Sequence, residues 1–137
     1  EYVTNIDGVD YYNDSKATNP DSTIKALESF EGHIILLAGG RDKKTDLKDM
    51  MSLIKTKTDA LILMGEAKER FLQAAETAGV QNIHVVDTFD DAVMLAHSIA
   101  KAPQVVLLSP ACSSFDMFEN FPHRGRYFKE LVRKLEK

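Results

Sequence analysis

Residues 33–38, His-Ile-Ile-Leu-Leu-Ala, form a nearly continuous apolar run that stops at Gly39-Gly40. Successive side chains of a strand point to opposite faces of a sheet. A run without polar alternation is therefore buried on both faces, as in the centre of a parallel sheet covered by helices. Two further runs have this character, Ala60–Met64 and Val105–Leu108, with a shorter one at Ile83–Val86.

Helical patterns fill the spaces between these runs. Asn19-Pro20 reads as a cap followed by proline at the first helical position. Thr23, Ala26, Leu27 and Phe30 follow at helical spacing, and Gly32 is expected to end that helix. Leu47, Met50, Met51 and Ile54 mark a second helix, and Ala67, Phe71, Ala74, Ala75 and Ala78 a third that Gly79 closes. Thr88 with Asp91 resembles a helix start, and Phe89, Ala92, Val93, Ala96 and Ile99 form the buried stripe of a fourth, which Pro103 breaks. A fifth is expected from about Arg124, with Phe128, Leu131, Val132 and Leu135 inward. At the start, residues 2–7 and 9–13 are β-rich and meet at Asp7-Gly8, a hairpin signal. Strands alternating with helices predict an α/β domain: a doubly wound, mostly parallel sheet, helices on both faces, and one antiparallel strand from the N-terminal hairpin.

The 137 residues suffice for one domain. The net charge of −4 argues against a nucleic-acid partner, whose readers carry a basic face. No apolar run approaches the roughly 20 residues of a membrane span. The single cysteine, Cys112, excludes an intramolecular disulfide and fits a reducing cytoplasm. Because Glu1-Tyr2-Val3 already reads as a strand with no initiator methionine, the chain is expected to be a piece of a longer protein.

Two polar loops carry the chemistry. One is Asn13-Asp14-Ser15-Lys16-Ala17-Thr18-Asn19. The other runs from Ser109-Pro110-Ala111-Cys112-Ser113-Ser114-Phe115-Asp116 to Phe121 and Arg124-Gly125-Arg126. Both follow strands, where open α/β sheets place their ligands. The first offers a carboxylate, an ammonium, a hydroxyl and a helix N-terminus suited to anions, although Asp14, Ser15 and Asn19 could equally serve only to turn and cap the chain. Gly39-Gly40 matches neither a dinucleotide fingerprint nor a phosphate loop and reads as a tight turn, while Lys43 or Lys44 beyond it could reach a carboxylate or phosphate. Cys112 reads as a small buried residue rather than a nucleophile. Phe115, Phe118 and Phe121, three apart, read as core. No metal-ligand spacing occurs among the histidines and the cysteine. Lys16, Lys43, Thr18 and Ser114 are the best donors for an anionic ligand.

The wording of these loops goes further. Tyr12-Asn13-Asp14-Ser15-Lys16-Ala17-Thr18-Asn19-Pro20 with Ser22-Thr23, then Gly39-Gly40 and Lys43, then Leu107–Asp116 with Phe118, Asn120-Phe121, Arg124-Gly125 and Phe128 resemble, in order and separation, the C-terminal domain of the D-glutamate-adding branch of the Mur ligase family. The likeness spans the chain. It implies a Rossmann-like C-terminal domain of a three-domain, bacterial, cytoplasmic and monomeric ligase of peptidoglycan synthesis. The UDP-binding and central ATP-binding domains would lie outside residues 1–137.

The resemblance also implies roles. Lys43 would pair with one carboxylate of D-glutamate, and Thr18, Ser114, Phe115 and Phe121 would hold the rest. Asp14 and Lys16 would face ATP. Mg2+ and the UDP-N-acetylmuramoyl-L-alanine substrate would sit mainly on the absent domains. Two departures stand out: Lys44 adjoins Lys43, and Met117 replaces a common glutamine. Two other readings compete. One is a stand-alone Rossmann-like binding module for a nucleotide or acidic metabolite. The other is a folylpolyglutamate synthase-like domain, whose first-loop wording differs.

Overall fold

The computed structural model describes residues 1–136. In chain order the elements are β1 (Tyr2–Ile6), β2 (Val9–Asn13), α1 (Pro20–Glu28), β3 (Ile34–Gly39), α2 (Lys48–Lys57), β4 (Thr58–Met64), α3 (Lys68–Ala78), β5 (Ile83–Val85), α4 (Phe89–Ile99), β6 (Val105–Leu108) and α5 (Phe121–Leu135). One sheet holds the strands in the order β1-β2-β6-β3-β4-β5. Among the described strands only the β1–β2 hairpin pairs antiparallel, and it forms one edge. Asp7 and Gly8, with φ of 53° and 88°, make its turn. Positive φ at both central residues matches the right-handed twist of the strands they join.

The apolar runs divide between two cores. Ile34, Leu36 and Ala38 of β3 pack with Leu27, Met50, Met51, Ile54, Phe71 and Ala75, so α1, α2 and α3 cover one face. Ile35 and Leu37 point the other way, to Phe89, Ala92, Val93, Ala96, Phe128 and Val132 of α4 and α5. All six residues of β3 are buried, as a central parallel strand requires.

The order of strands locates a topological switch point. From β3 the chain steps outward through β4 to β5, then returns through α4 to place β6 between β2 and β3. The loop after β3 leads to α2 on one face, whereas the loop after β6 leads to α5 on the other. The two adjacent loops thus diverge to opposite faces at the carboxyl edge, although hydrogen bonds between residues 39–41 and 110–113 close them on each other at the start. That divergence marks the switch point where open α/β sheets bind ligands.

Several boundaries differ from the sequence expectation. α5 begins at Phe121, not near Arg124, because Asn120 caps it (Oδ1 accepts from the His123 amide at 2.9 Å) and Pro122 supplies a preset φ. α1 ends at Glu28, four residues before Gly32, because the Ser29 amide and hydroxyl close the last turn on Ala26. His33 lies outside β3 in a left-handed conformation, with φ of 59°. The Ile83–Val86 strand is one residue shorter than expected.

Candidate functional site

The loops after β2, β3 and β6 meet at the carboxyl edge, and hydrogen bonds lock them together. After β2, the Asp14 amide donates to the Leu108 carbonyl at 2.7 Å, continuing the parallel ladder into the loop. The Ser109 hydroxyl donates to Asp14 Oδ2 at 2.8 Å and lies 3.2 Å from the hydroxyl of buried Thr23. Asp14 therefore ties the first loop to the last, whatever its other oxygen does. Asn19 caps α1 through the Ser22 amide at 2.9 Å. After β3, the Arg41 amide donates to the Ser113 carbonyl at 3.0 Å, and the Gly39 amide to the Pro110 carbonyl at 2.9 Å.

Arg124 is the centre of this assembly. It is fully buried. Its Nε donates to the Ser15 hydroxyl at 2.9 Å and its Nη2 to the Ser15 carbonyl at 2.6 Å. Ser15 in turn donates to the Phe121 carbonyl at 2.7 Å, so the first turn of α5 and the first loop hold each other. Burial lowers the guanidinium to about 10, which leaves it charged at neutral pH. No salt bridge pairs it with a carboxylate among the described residues. Residues 124, 128 and 132 share the inward stripe of α5. A lone charge on that stripe was the signal available in the sequence, where Arg124 counted only as part of a motif.

Glycine is required where β3 meets this edge. Gly39 has φ of 120°, and a Cβ there would overlap the Met64 carbonyl oxygen. Gly40 has φ of 150°, and its Cβ would stand 2.5 Å from the Ser113 carbonyl oxygen. The tight-turn reading of this pair holds. Cys112 is buried, and that burial pushes its thiol up to about 12, far from the low value a nucleophile needs.

The seven site residues expected from the sequence all lie on loops or a helix start following β2, β3 and β6. Lys16 is exposed and Thr18 half-buried. Lys16 and Phe121 line one groove of about 330 Å³ together with Ser15 and Arg126. Lys16 also borders a second groove with Asp14. Ser114 is 1% exposed, and its hydroxyl finds no partner among the described residues. Ser113 Oγ, Asp116 Oδ1 and Arg124 Nη1 are in the same condition. Lys43 and Lys44 are both exposed, but they differ: the Lys44 ammonium sits 3.5 Å from Asp42, whereas Lys43 makes no side-chain hydrogen bond or ion pair among the described residues. Lys43 is likewise not hydrogen-bonded to Lys16, Thr18 or Ser114.

The expectation that Phe115, Phe118 and Phe121 form core is corrected. Phe115 is 60% and Phe121 43% exposed. Only Phe118 packs inward, 5.2 Å from the Phe89 ring and 5.5 Å from that of Tyr127. The three-residue spacing misleads because 115–120 is a series of turns rather than a helix. Among the described residues no three His, Cys, Asp or Glu side chains converge to hold a metal ion.

Comparison with known proteins places this geometry in context. A family model described as "Mur ligase, glutamate ligase domain" matches residues 1–112. UDP-N-acetylmuramoylalanine–D-glutamate ligase of Pelotomaculum thermopropionicum is 46% identical over 137 residues, which is 100% of this chain and 30% of that protein. The protein of the same name from Geotalea uraniireducens is 48% identical over 136 residues, 99% of this chain and 30% of its own length. The chain thus spans about 30% of the curated relatives it matches. Among solved structures, a murein peptide ligase from Psychrobacter arcticus shares the fold with a TM-score of 0.63 at 10% identity, over 98% of this chain and 28% of that one. A UDP-N-acetylmuramate-alanine ligase from Thermotoga maritima does so with a TM-score of 0.60 at 12% identity, over 93% and 27%. On the match over residues 1–112, the chain belongs to the Mur ligase, glutamate ligase domain family.

Proposed function

We propose that this chain is the C-terminal domain of a three-domain, ADP-forming ligase that joins D-glutamate to UDP-N-acetylmuramoyl-L-alanine in bacterial peptidoglycan synthesis. The observation that carries this reading is a pair of unpartnered donors on the loops after two neighbouring strands: the Lys43 ammonium after β3 and the Ser114 hydroxyl after β6. D-Glutamate brings two carboxylates, which separated donors of this kind suit. The names of the relatives support the choice of amino acid.

In this reading ATP transfers its γ-phosphoryl group to the substrate carboxylate, giving an acyl phosphate and ADP. The D-glutamate amine attacks the acyl carbon, and phosphate leaves as the amide forms. The residues of this chain bind and orient. Lys43 holds one carboxylate of D-glutamate, with Lys44 occupied by Asp42. Charge-assisted bonds are the stronger kind, so Lys43 contributes most to binding. Thr18, Ser114 and the backbone around Phe115 and Phe121 hold the remainder. Asp14 and Lys16 face the nucleotide. Holding the amine in line with the acyl phosphate removes much of the entropic barrier, and closure over the site excludes water. Magnesium sits mainly on the rest of the ligase, and no step here runs through it. The cytoplasm, a monomeric state and the absence of nucleic-acid or membrane partners complete the proposal. Among the described residues no helix is long and apolar enough to cross a membrane.

The chain contains no G-x-x-x-x-G-K-[ST] phosphate loop, so it is expected to show no ligase turnover alone. The full-length ligase carrying it is expected to release phosphate from ATP only with both UDP-N-acetylmuramoyl-L-alanine and D-glutamate present. Turnover by residues 1–137 alone, or by the full protein without D-glutamate, would contradict the proposal.

A further inference from the structure

The loop that carries Lys43 has no regular secondary structure from Asp42 to Leu47, yet it is fastened at several points. Arg70, projecting from the first turn of α3, does most of this. Its Nε lies 3.0 Å from both carboxylate oxygens of Asp42, and its Nη1 donates to the Thr45 carbonyl at 2.9 Å. One planar guanidinium thus spans residues 42 and 45 and brackets Lys43 and Lys44 between its two contacts. The Asp42 amide donates to Glu66 Oε1 at 3.0 Å, and the Lys44 amide folds back on Asp42 Oδ1 at 2.9 Å. Glu66 is itself fixed: its amide donates to Asp116 Oδ2 at 3.0 Å. An unbroken path of hydrogen bonds runs from the Ser114–Asp116 turn through Glu66 and Asp42 to Arg70.

We infer that Arg70 and Asp42 are positioning residues for D-glutamate binding: they fix the backbone on either side of Lys43 and register its ammonium against the Ser114 loop. This rests on Lys43 being the carboxylate partner. Asp42 spends its charge on this task. Its side chain is 10% exposed and takes Arg70 from one side and Lys44 from the other. Burial would raise its carboxyl, but the Lys44 amide and the Arg70 guanidinium outweigh burial and hold it below the usual carboxylate range. Lys43 is left as the cation of the loop that has no protein partner among the described residues. Its reach from a pinned backbone is then short and defined. An unpinned loop would have to be ordered each time substrate binds, and that ordering is subtracted from affinity.

The test uses the full-length ligase that carries this chain, with KM for D-glutamate, KM for ATP, kcat and thermal midpoint measured for each variant. Arg70→Met is expected to raise KM for D-glutamate about 10-fold while KM for ATP stays near wild type, the signature of lost substrate positioning. Arg70→Lys is not expected to rescue it, since an ammonium cannot bridge Asp42 and Thr45 with a planar fork. Asp42→Asn keeps the volume, removes the second acceptor and is expected to move KM in the same direction. Any of these variants whose melting transition is intact reads the effect. The decisive arm is the double variant: in a Lys43→Ala background, Arg70→Met is expected to add little further loss, because it acts through Lys43. A normal KM for D-glutamate in folded Arg70→Met and Asp42→Asn, with KM raised in Lys43→Ala, would overturn this inference and leave the proposed function standing. Fully additive losses in the double variant would overturn it as well. A normal KM in Lys43→Ala would overturn the Lys43 assignment and this inference together.

Discussion

Gly39→Ala is expected to destabilise the chain by about 4 kcal/mol or more, the exceptional end of single-residue effects. Two penalties combine at this position. The backbone stands at φ of 120°, a region where a side chain brings strain. The new Cβ would also collide with the Met64 carbonyl oxygen of the neighbouring strand, which is backbone and cannot swing aside. Relief would require β3 and β4 to separate where their ladder pairs Gly39 with Met64. A total stability of about 5–15 kcal/mol leaves little margin for such a change. Thermal unfolding of the isolated chain checks it. Gly79→Ala provides the contrast: its φ is 84°, but the nearest atom is the end of the flexible Lys55 side chain, 3.2 Å away. The cost there is expected to be about 1 kcal/mol. Similar melting points for the two variants would refute the close-packing explanation of the Gly39 turn.

Arg124→Leu is the second large effect, at about 3 kcal/mol, the scale of losing charged hydrogen bonds in a buried site. Leucine fills part of the space but donates nothing to the Ser15 hydroxyl and carbonyl. With Ser15 released, the Phe121 carbonyl loses the Ser15 hydroxyl, and the first loop parts from α5. Arg124→Lys is expected to recover little, since a compact ammonium on a flexible stem lacks the planar fork that spans the Ser15 hydroxyl and carbonyl. Thermal melts measure the stability. Amide exchange across residues 13–19 and 121–125 tests the locality, and an increase confined elsewhere would contradict the role given to Arg124.

The scaffold was legible because burial on both sides leaves a plain mark. Ile34–Ala38 cannot be read as a half-exposed strand, and the stripes of α2 and α4 cannot be read as strands. The turns were legible for the opposite reason: Asp7-Gly8 and Gly39-Gly40 are positions where few residue types fit the backbone. What escaped was long-range and polar. Nothing in the local sequence around Asp42 announces that Arg70, 28 residues later, will close on it. The pairing exists only because β3 and β4 are neighbours in the sheet and present their following loops side by side. Arg124 could have been seen as a charge on an apolar stripe, but its partner Ser15 lies 109 residues away. Phe115 and Phe121 were misread because helical spacing means nothing in a chain of turns.

The most direct test of the central claim is an NMR titration of the labelled chain with D-glutamate and, separately, with L-glutamate. A ligand of so few atoms, meeting only part of its site, is expected to bind at about millimolar strength. The expected result is a set of shifts at Thr18, Lys43, Ser114 and Phe121 that is larger for the D isomer. Equal responses to both isomers, or shifts confined to residues away from the carboxyl edge of the sheet, would contradict a D-glutamate site and favour a general binding module for acidic metabolites.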